Sequence, residues 1–232
     1  MCIIVLNMKF RSSKFFILLF FCLISTLFYS CFKTENFIKG DAKIRFYNTV
    51  RGPKQDFYLD SSRLAIGVDS IGNSEYIVVE GDRAYDVLSK NTGLRVANRV
   101  LKQNLEIGNH YSVYYTKKSA TDSLLIIYKD TLTLDKTKTR VQFMNFGYTL
   151  KSNVIITIQD SLGTTNKSLA YGQRSGYFFV KTGPSSKISL RLADSTTTDT
   201  IAAASFIKNK AYTIIIDGFV NGKLRERLVP NN

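Results

Sequence analysis

The stretch that decides the fold is Lys43-Ile-Arg-Phe-Tyr-Asn48, because its pattern returns about 100 residues later as Arg140-Val-Gln-Phe-Met-Asn145. In the first copy, Ile44, Phe46 and Asn48 fall on one face of an extended chain. A period of two is typical of a β-strand that is buried on one side. The sequence therefore predicts two β units that each open with this strand.

Three further pairs of segments keep the same order and nearly the same offset. They are Leu64–Gly67 with Leu169–Gly172, Ser74–Val79 with Ser175–Val180, and Asn109–Tyr115 with Asn209–Ile216. Four matches in one order indicate a tandem duplication, with small gaps at the loops. Turn-forming Gly, Pro and Asn residues separate the short apolar segments at intervals of about 8–12 residues, which favours β-sandwiches.

Composition agrees with a β protein. Thr, Ser, Tyr, Phe, Val and Ile dominate after the first 30 residues, whereas the helix formers Ala, Glu and Met are scarce. Hydrophobic residues make up 44% of the chain, so a core can form without disulfides.

The N-terminal segment has the features of an export signal. Lys9, Arg11 and Lys14 precede Phe15–Tyr29, an uninterrupted apolar run. A membrane-spanning helix needs about 20 apolar residues, so a shorter run favours a signal peptide that is removed.

The end of this segment resembles a bacterial lipoprotein signal. The resemblance depends on Leu27, Ser30 and Cys31, and it implies that Cys31 carries the lipid. Cys2 and Cys22 leave with the signal, so the mature chain has no disulfide and no thiolate metal site. The alternative is an ordinary secretory signal in which the cysteine is incidental.

The repeated segments together resemble a known family over most of residues 42–229. The Phe-x-Asn strand, the Leu-Ala-x-Gly element followed by Ser-x-Tyr, and the closing Tyr-rich strand look like the tandem β-sandwich lipoproteins grouped as domain of unknown function 4397, common in Bacteroidetes. The resemblance implies immunoglobulin-like units and no catalytic residues.

The predicted fold class is therefore all-β, with two tandem immunoglobulin-like antiparallel β-sandwich units after an N-terminal lipoprotein signal peptide. The predicted organisation is a signal peptide at 1–30, a lipid-anchored tether at 31–40, a first β-sandwich at 41–130, a linker at 131–138 and a second β-sandwich at 139–232.

No catalytic, metal or cofactor site is predicted. The single histidine, His110, stands at a turn before a strand, without an evident partner for metal binding or catalysis. Glu75, Glu80 and Asp82 are the densest acidic group of the first unit, but the second unit does not repeat them, which argues against a duplicated glycosidase site. Motifs for a serine hydrolase, a zinc protease or a phosphate loop are missing from the sequence.

Two sets of side chains leave a structural and a binding interpretation open. Asn48 and Asn145 fall on the apolar face of their strands, where a buried amide must be hydrogen-bonded; we expect each to fix a neighbouring loop, with ligand binding as the alternative. Four tyrosines are predicted to point outward, where they would serve cross-strand packing or form a sugar-binding or protein-binding surface. They are Tyr47, Tyr58, Tyr85 and Tyr114.

The chain is basic, with a formal net charge of +14. Such an excess favours anionic surfaces such as lipid head groups or acidic glycans, but scattered charges are equally typical of a solvated surface. No nucleic-acid partner is expected.

The terminal strand carries an ordered set of these charges. Lys223, Arg225 and Arg227 alternate with Leu224, Glu226 and Leu228, so the three basic side chains share one face and the leucines turn toward the core. The segment is expected to be an edge strand, where charges discourage unwanted strand pairing. The alternative hypothesis is that this basic row contacts an anionic envelope partner.

The predicted function is a non-enzymatic, lipid-anchored protein of the outer membrane, facing the periplasm or the surface, that acts as a binding, adhesion or scaffolding module. Its partners would be the membrane, through the lipid on Cys31, and an envelope protein or glycan. The alternative is a glycan-binding accessory lipoprotein of an outer-membrane polysaccharide-uptake system.

Overall fold

A computed structural model of the chain describes residues 40–131, 139–160, 163–181, 186–202, 205–219 and 221–231. All the elements assigned along these ranges are β-strands, which confirms the all-β prediction. These described residues contain no helix that is long and apolar enough to cross a membrane.

The strands fall into two sets of eight. The first set is β1 (Asp41–Asn48), β2 (Gln55–Leu59), β3 (Ser62–Val68), β4 (Ile77–Glu80), β5 (Arg83–Asn91), β6 (Arg99–Leu105), β7 (His110–Lys117) and β8 (Ser123–Lys129). The second set is β9 (Thr139–Asn145), β10 (Val154–Asp160), β11 (Gly163–Leu169), β12 (Arg174–Val180), β13 (Lys187–Leu192), β14 (Thr198–Ala202), β15 (Ala211–Gly218) and β16 (Leu224–Asn231).

The two sets have the same topology. In the first, sheet A has the order β4-β1-β7-β8 and sheet B the order β3-β2-β5-β6. In the second, sheet C has the order β12-β9-β15-β16 and sheet D the order β11-β10-β13-β14, so each strand has a counterpart eight strands later. The pairs β1–β7 and β9–β15 are parallel, and the other ladders are antiparallel. Among the described strands, the order of the first eight is therefore repeated by the next eight.

Each pair of sheets encloses its own apolar core. Phe46 on sheet A stacks on Phe57 of sheet B, with ring centroids 4.8 Å apart, in the core between the two sheets. In the second set, Phe143 on sheet C packs in one cluster with Ile156 and Leu190 of sheet D. Phe46 and Phe143 are both fully buried, which confirms their predicted inward orientation. We refer to the two assemblies as the first and second sandwich.

The two repeated asparagines fix neighbouring loops, as predicted. The Asn48 amide nitrogen donates to the carbonyl of Val68, and its oxygen accepts the backbone N–H two residues later. The Asn145 amide nitrogen donates to the carbonyl of Leu169, and its oxygen accepts the corresponding N–H. Both side chains are buried, so these bonds supply the partners that a buried amide requires.

The outer face of sheet A is covered by the outer face of sheet C. Tyr47 and Tyr114 stack with ring centroids 4.5 Å apart and join a buried cluster with Met144, Phe146, Ile215 and Val229. The prediction that these tyrosines point away from their own core is right, but they are not on a free surface. The prediction that Tyr85 points outward is wrong, because Tyr85 lies inside the core of the first sandwich. Tyr58 is half-buried, with the Lys90 ammonium 4.5 Å from its ring centroid.

Polar side chains continue this contact between the sandwiches. The Arg45 guanidinium donates to the Ser112 hydroxyl at 2.9 Å and to the Asn231 side-chain oxygen at 3.0 Å. The Tyr128 hydroxyl donates to the Gly172 carbonyl at 2.8 Å. Lys39–Asn232 forms one compact unit. The predicted domain boundaries stay a prediction, and residues 132–138 of the predicted linker lie outside the described residues.

Candidate functional site

Of the residues that the sequence proposed for binding, the structure describes those of the terminal strand. Cys31 lies outside the described residues. β16 is an edge strand of sheet C, and Leu224 and Leu228 pack against the core of the second sandwich, as predicted. Lys223 precedes the strand and is exposed, whereas Arg225 and Arg227 are partly buried. The three side chains therefore do not form one exposed basic row.

The other polar residues singled out by the sequence serve local contacts. The His110 ring lies edge-on to the Tyr76 ring at the start of β7, with centroids 5.2 Å apart. Glu80 pairs with Arg83 at 3.2 Å, and the Asp82 carboxylate accepts the Ile107 N–H at 3.1 Å. Within the described ranges, three or more His, Cys, Asp or Glu side chains are nowhere grouped to hold a metal ion.

A cleft opens where the free edges of sheets C and D approach each other in the second sandwich. Its walls are the two edge strands β11 and β12, and its floor is the end of β10. The cleft has a volume of about 440 Å³ and is lined by Ile158, Asp160, Gly163, Thr164, Thr165, Tyr177, Phe178 and Phe179. We call it the β11–β12 cleft. Its volume falls within the range of about 300–1,000 Å³ typical of small-ligand sites.

Three consecutive aromatic residues of β12, Tyr177, Phe178 and Phe179, line the cleft, and their side chains alternate between the two faces of sheet C. Phe178 turns inward, where its ring meets that of Phe143 edge-on with centroids 6.0 Å apart. Phe179 turns outward and is 58% exposed, an unusual position for so large an apolar side chain. A β-bulge between Arg174 and Tyr177 precedes these residues, and Gly176 within it has φ of +77°, a conformation that favours glycine. The bulge therefore shifts the register of β12 against β9 just before these aromatic residues.

Tyr177 holds this wall to the rest of the protein. Its hydroxyl accepts a hydrogen bond from the Asn231 amide at 3.1 Å, and the oxygen of the same amide accepts from Arg45 of the first sandwich at 3.0 Å. Burial raises the pKa of Tyr177, and the hydrogen bond to Asn231 opposes that rise, so the phenol stays neutral near pH 7. The wall of the cleft is thus positioned by contacts that cross between the sandwiches.

The opposite wall is polar. Thr164 and Thr165 lie on β11, most of whose residues are exposed, and Asp160 pairs with Gly163 where β10 meets β11. Hydroxyl groups both donate and accept hydrogen bonds, and an ionised carboxylate accepts them. The lining of the cleft therefore contains both aromatic and hydrogen-bonding residues.

The internal repeat contains a sequence signal for this site. Ser74–Val79 aligns with Ser175–Val180, so Ile77 and Val78 of the first unit correspond to Phe178 and Phe179 of the second. The serine that opens each segment has the same role, accepting the Phe46 N–H in one unit and the Phe143 N–H in the other. The scaffold is thus repeated, while the aromatic pair occurs in the second unit alone.

No family model and no curated protein matches the chain. Among solved structures, it is similar to a carbohydrate-binding module of family CBM26 from Eubacterium rectale Amy13K, solved in complex with maltoheptaose. The match covers 83% of this chain and 97% of that chain, with a TM-score of 0.26 and 7% sequence identity. A likeness this distant carries no argument about function.

Proposed function

We propose that the protein is a non-enzymatic, lipid-anchored binding module of the bacterial outer membrane, built from two immunoglobulin-like sandwiches of the domain of unknown function 4397 type. The observation that carries the binding role is the β11–β12 cleft, with its aromatic and hydrogen-bonding residues. The anchor is supported by the sequence features of Phe15–Cys31.

The ligand class that this cleft favours is a glycan. A sugar ring presents apolar C–H faces, which pack on aromatic rings, and a rim of hydroxyl groups, which need donors and acceptors. Phe179 contributes an exposed aromatic side chain to the lining, while the two threonines of β11 and Asp160 at the end of β10 contribute polar groups. This supports the second candidate, a glycan-binding accessory protein of an outer-membrane polysaccharide-uptake system.

The test is isothermal titration of the full lipoprotein, held in detergent micelles, against a panel of soluble oligosaccharides. We expect saturable binding of at least one glycan. The Phe179→Ala variant should weaken that binding about tenfold, which corresponds to about 1.4 kcal/mol.

The repeat provides a matched control. Val78 occupies the equivalent position in the first sandwich and is 56% exposed, against 58% for Phe179. The Val78→Ala variant should bind as the parent does. Equal losses in both variants, or no loss in either, would contradict a site in the β11–β12 cleft.

A further inference from the structure

Two arginines on the terminal strand occupy similar positions but differ in their partners. Arg225 and Arg227 lie two residues apart on β16, so their side chains leave the same face of sheet C. Val229, next on that face, packs in the cluster between the sandwiches. The two guanidinium groups therefore point toward the contact between sheets C and A, and not toward open solvent.

Arg225 has a carboxylate partner directly across the ladder. Its register neighbour on β15 is Asp217. The Arg225 Nε donates to one carboxylate oxygen of Asp217 at 2.5 Å, and its Nη2 donates to the other. This is the two-point pairing that a planar guanidinium forms with a carboxylate.

Arg227 lacks such a partner. Its register neighbour on β15 is Ile215, which belongs to the apolar cluster and offers no charge. The Arg227 Nε and Nη2 atoms are both buried, and neither has a hydrogen-bond partner among the described residues. In Arg225, the corresponding Nε and Nη2 atoms donate to the Asp217 carboxylate.

The Arg227 guanidinium keeps its positive charge although two of its nitrogen atoms are buried. A guanidinium stays protonated in proteins, and a buried charge without a partner is strongly unfavourable. Burial lowers the pKa of Arg227, and the carboxylate of Asp217 opposes that shift, although Asp217 is already held by Arg225. Arg51 lies nearby, with its guanidinium carbon 5.1 Å from the ring centroid of Phe219, the ring that Arg225 also contacts. Three guanidinium groups, those of Arg51, Arg225 and Arg227, therefore act on the buried Asp217, and Glu226 is the other acidic side chain that interacts with it.

We propose that the Nε and Nη2 edge of Arg227 is a binding site for an oxyanion group, a carboxylate or a phosphate, held between the two sandwiches. Two oxygens of one such group match the two buried donors, as the Asp217 oxygens match those of Arg225. This site is separate from the β11–β12 cleft and does not depend on the glycan proposal. In place of the exposed basic row of the sequence hypothesis, the site consists of two buried nitrogen atoms of the partly buried Arg227.

The test uses the full chain in detergent, at constant ionic strength set with sodium chloride. Inorganic phosphate and acetate are titrated separately while the melting temperature and the heat of binding are measured. We expect saturable binding and a rise in melting temperature with at least one of the two anions, and the stronger one identifies the ligand chemistry as phosphate or carboxylate. If neither anion binds beyond the chloride control, the proposal is overturned.

Three variants locate the binding. Arg227→Gln should lose it, and Arg227→Lys, which keeps the charge but lacks the planar pair of donors, should bind at least tenfold more weakly. Lys223→Gln removes the same charge from an exposed position of the same segment and should bind as the parent does. Equal binding by Arg227→Gln and the parent would refute the site.

A measurement on the parent protein covers the case in which Arg227→Gln does not fold. The ¹⁵N resonance of the Arg227 Nε–H, assigned with the Arg227→Lys variant, should shift as the anion is added and reach a plateau at the titrated dissociation constant. An unshifted resonance at saturating anion would equally overturn the proposal.

Discussion

Truncation of the repeated phenylalanines, Phe46→Ala and Phe143→Ala, tests the duplicated core. Both side chains are fully buried, and Phe-to-Ala changes at such positions cost about 3–5 kcal/mol. Phe46 stacks on the fully buried Phe57 with centroids 4.8 Å apart, whereas the partner of Phe143, Phe178, is partly buried and its centroid is 6.0 Å away. We therefore expect about 5 kcal/mol for Phe46→Ala and about 4 kcal/mol for Phe143→Ala.

The assay is urea unfolding, followed by tyrosine fluorescence and by far-ultraviolet circular dichroism. With a slope of about 2 kcal/mol per molar urea, a loss of 4 kcal/mol lowers the midpoint by about 2 M. Because buried side chains join sheets A and C, each variant should also destabilise the other sandwich, and the two probes should report one transition.

The exposed Phe179 supplies the control for this experiment. Phe179→Ala removes the same atoms from a position that is 58% exposed, so its midpoint should move by less than about 0.5 M. Shifts of that small size in both Phe46→Ala and Phe143→Ala would refute the inward orientation of the repeated strand.

Three further predictions follow from other parts of the chain. Cys31→Ala should abolish labelling by a fatty-acid probe and either release the protein from membranes or leave its precursor unprocessed, and unchanged labelling would refute the anchor. Asn145→Ala leaves the buried Leu169 carbonyl and the N–H two residues on without partners, so urea titration should show a loss of about 2–4 kcal/mol; a loss below about 0.5 kcal/mol would contradict its role in fixing the loop. Burial raises the pKa of Tyr47, with Arg45 opposing the rise, so the folded state keeps a proton that the unfolded state releases near pH 10. Stability is thus unaffected below about pH 9 and falls as pH rises beyond about 10, and urea midpoints from pH 8 to 11 should decline less steeply in Tyr47→Phe than in the parent.

The sequence was sufficient to predict the all-β class and the inward face of the repeated first strand. The alternation at Lys43–Asn48 and its repeat identifies Phe46 and Phe143 as core residues, because the period of two is a local property of the chain. The same alternation places Asn48 and Asn145 inside, where an amide needs hydrogen bonds, and the structure supplies them from neighbouring loops.

The tertiary structure decided what covers the second face of each strand. Alternation distinguishes the two faces of a strand, but it does not determine whether the outer face contacts water or another sheet. The sequence therefore predicts Tyr47, Tyr114 and Arg227 on the surface, whereas the packing of sheet A on sheet C buries the two tyrosines and the Nε and Nη2 atoms of Arg227. The β11–β12 cleft has the same origin, since Asp160 and Phe179 are distant in sequence and come together at the meeting edges of two sheets. Strand periodicity depends on neighbouring residues along the chain, whereas sheet packing and sheet edges depend on residues that folding alone brings into contact.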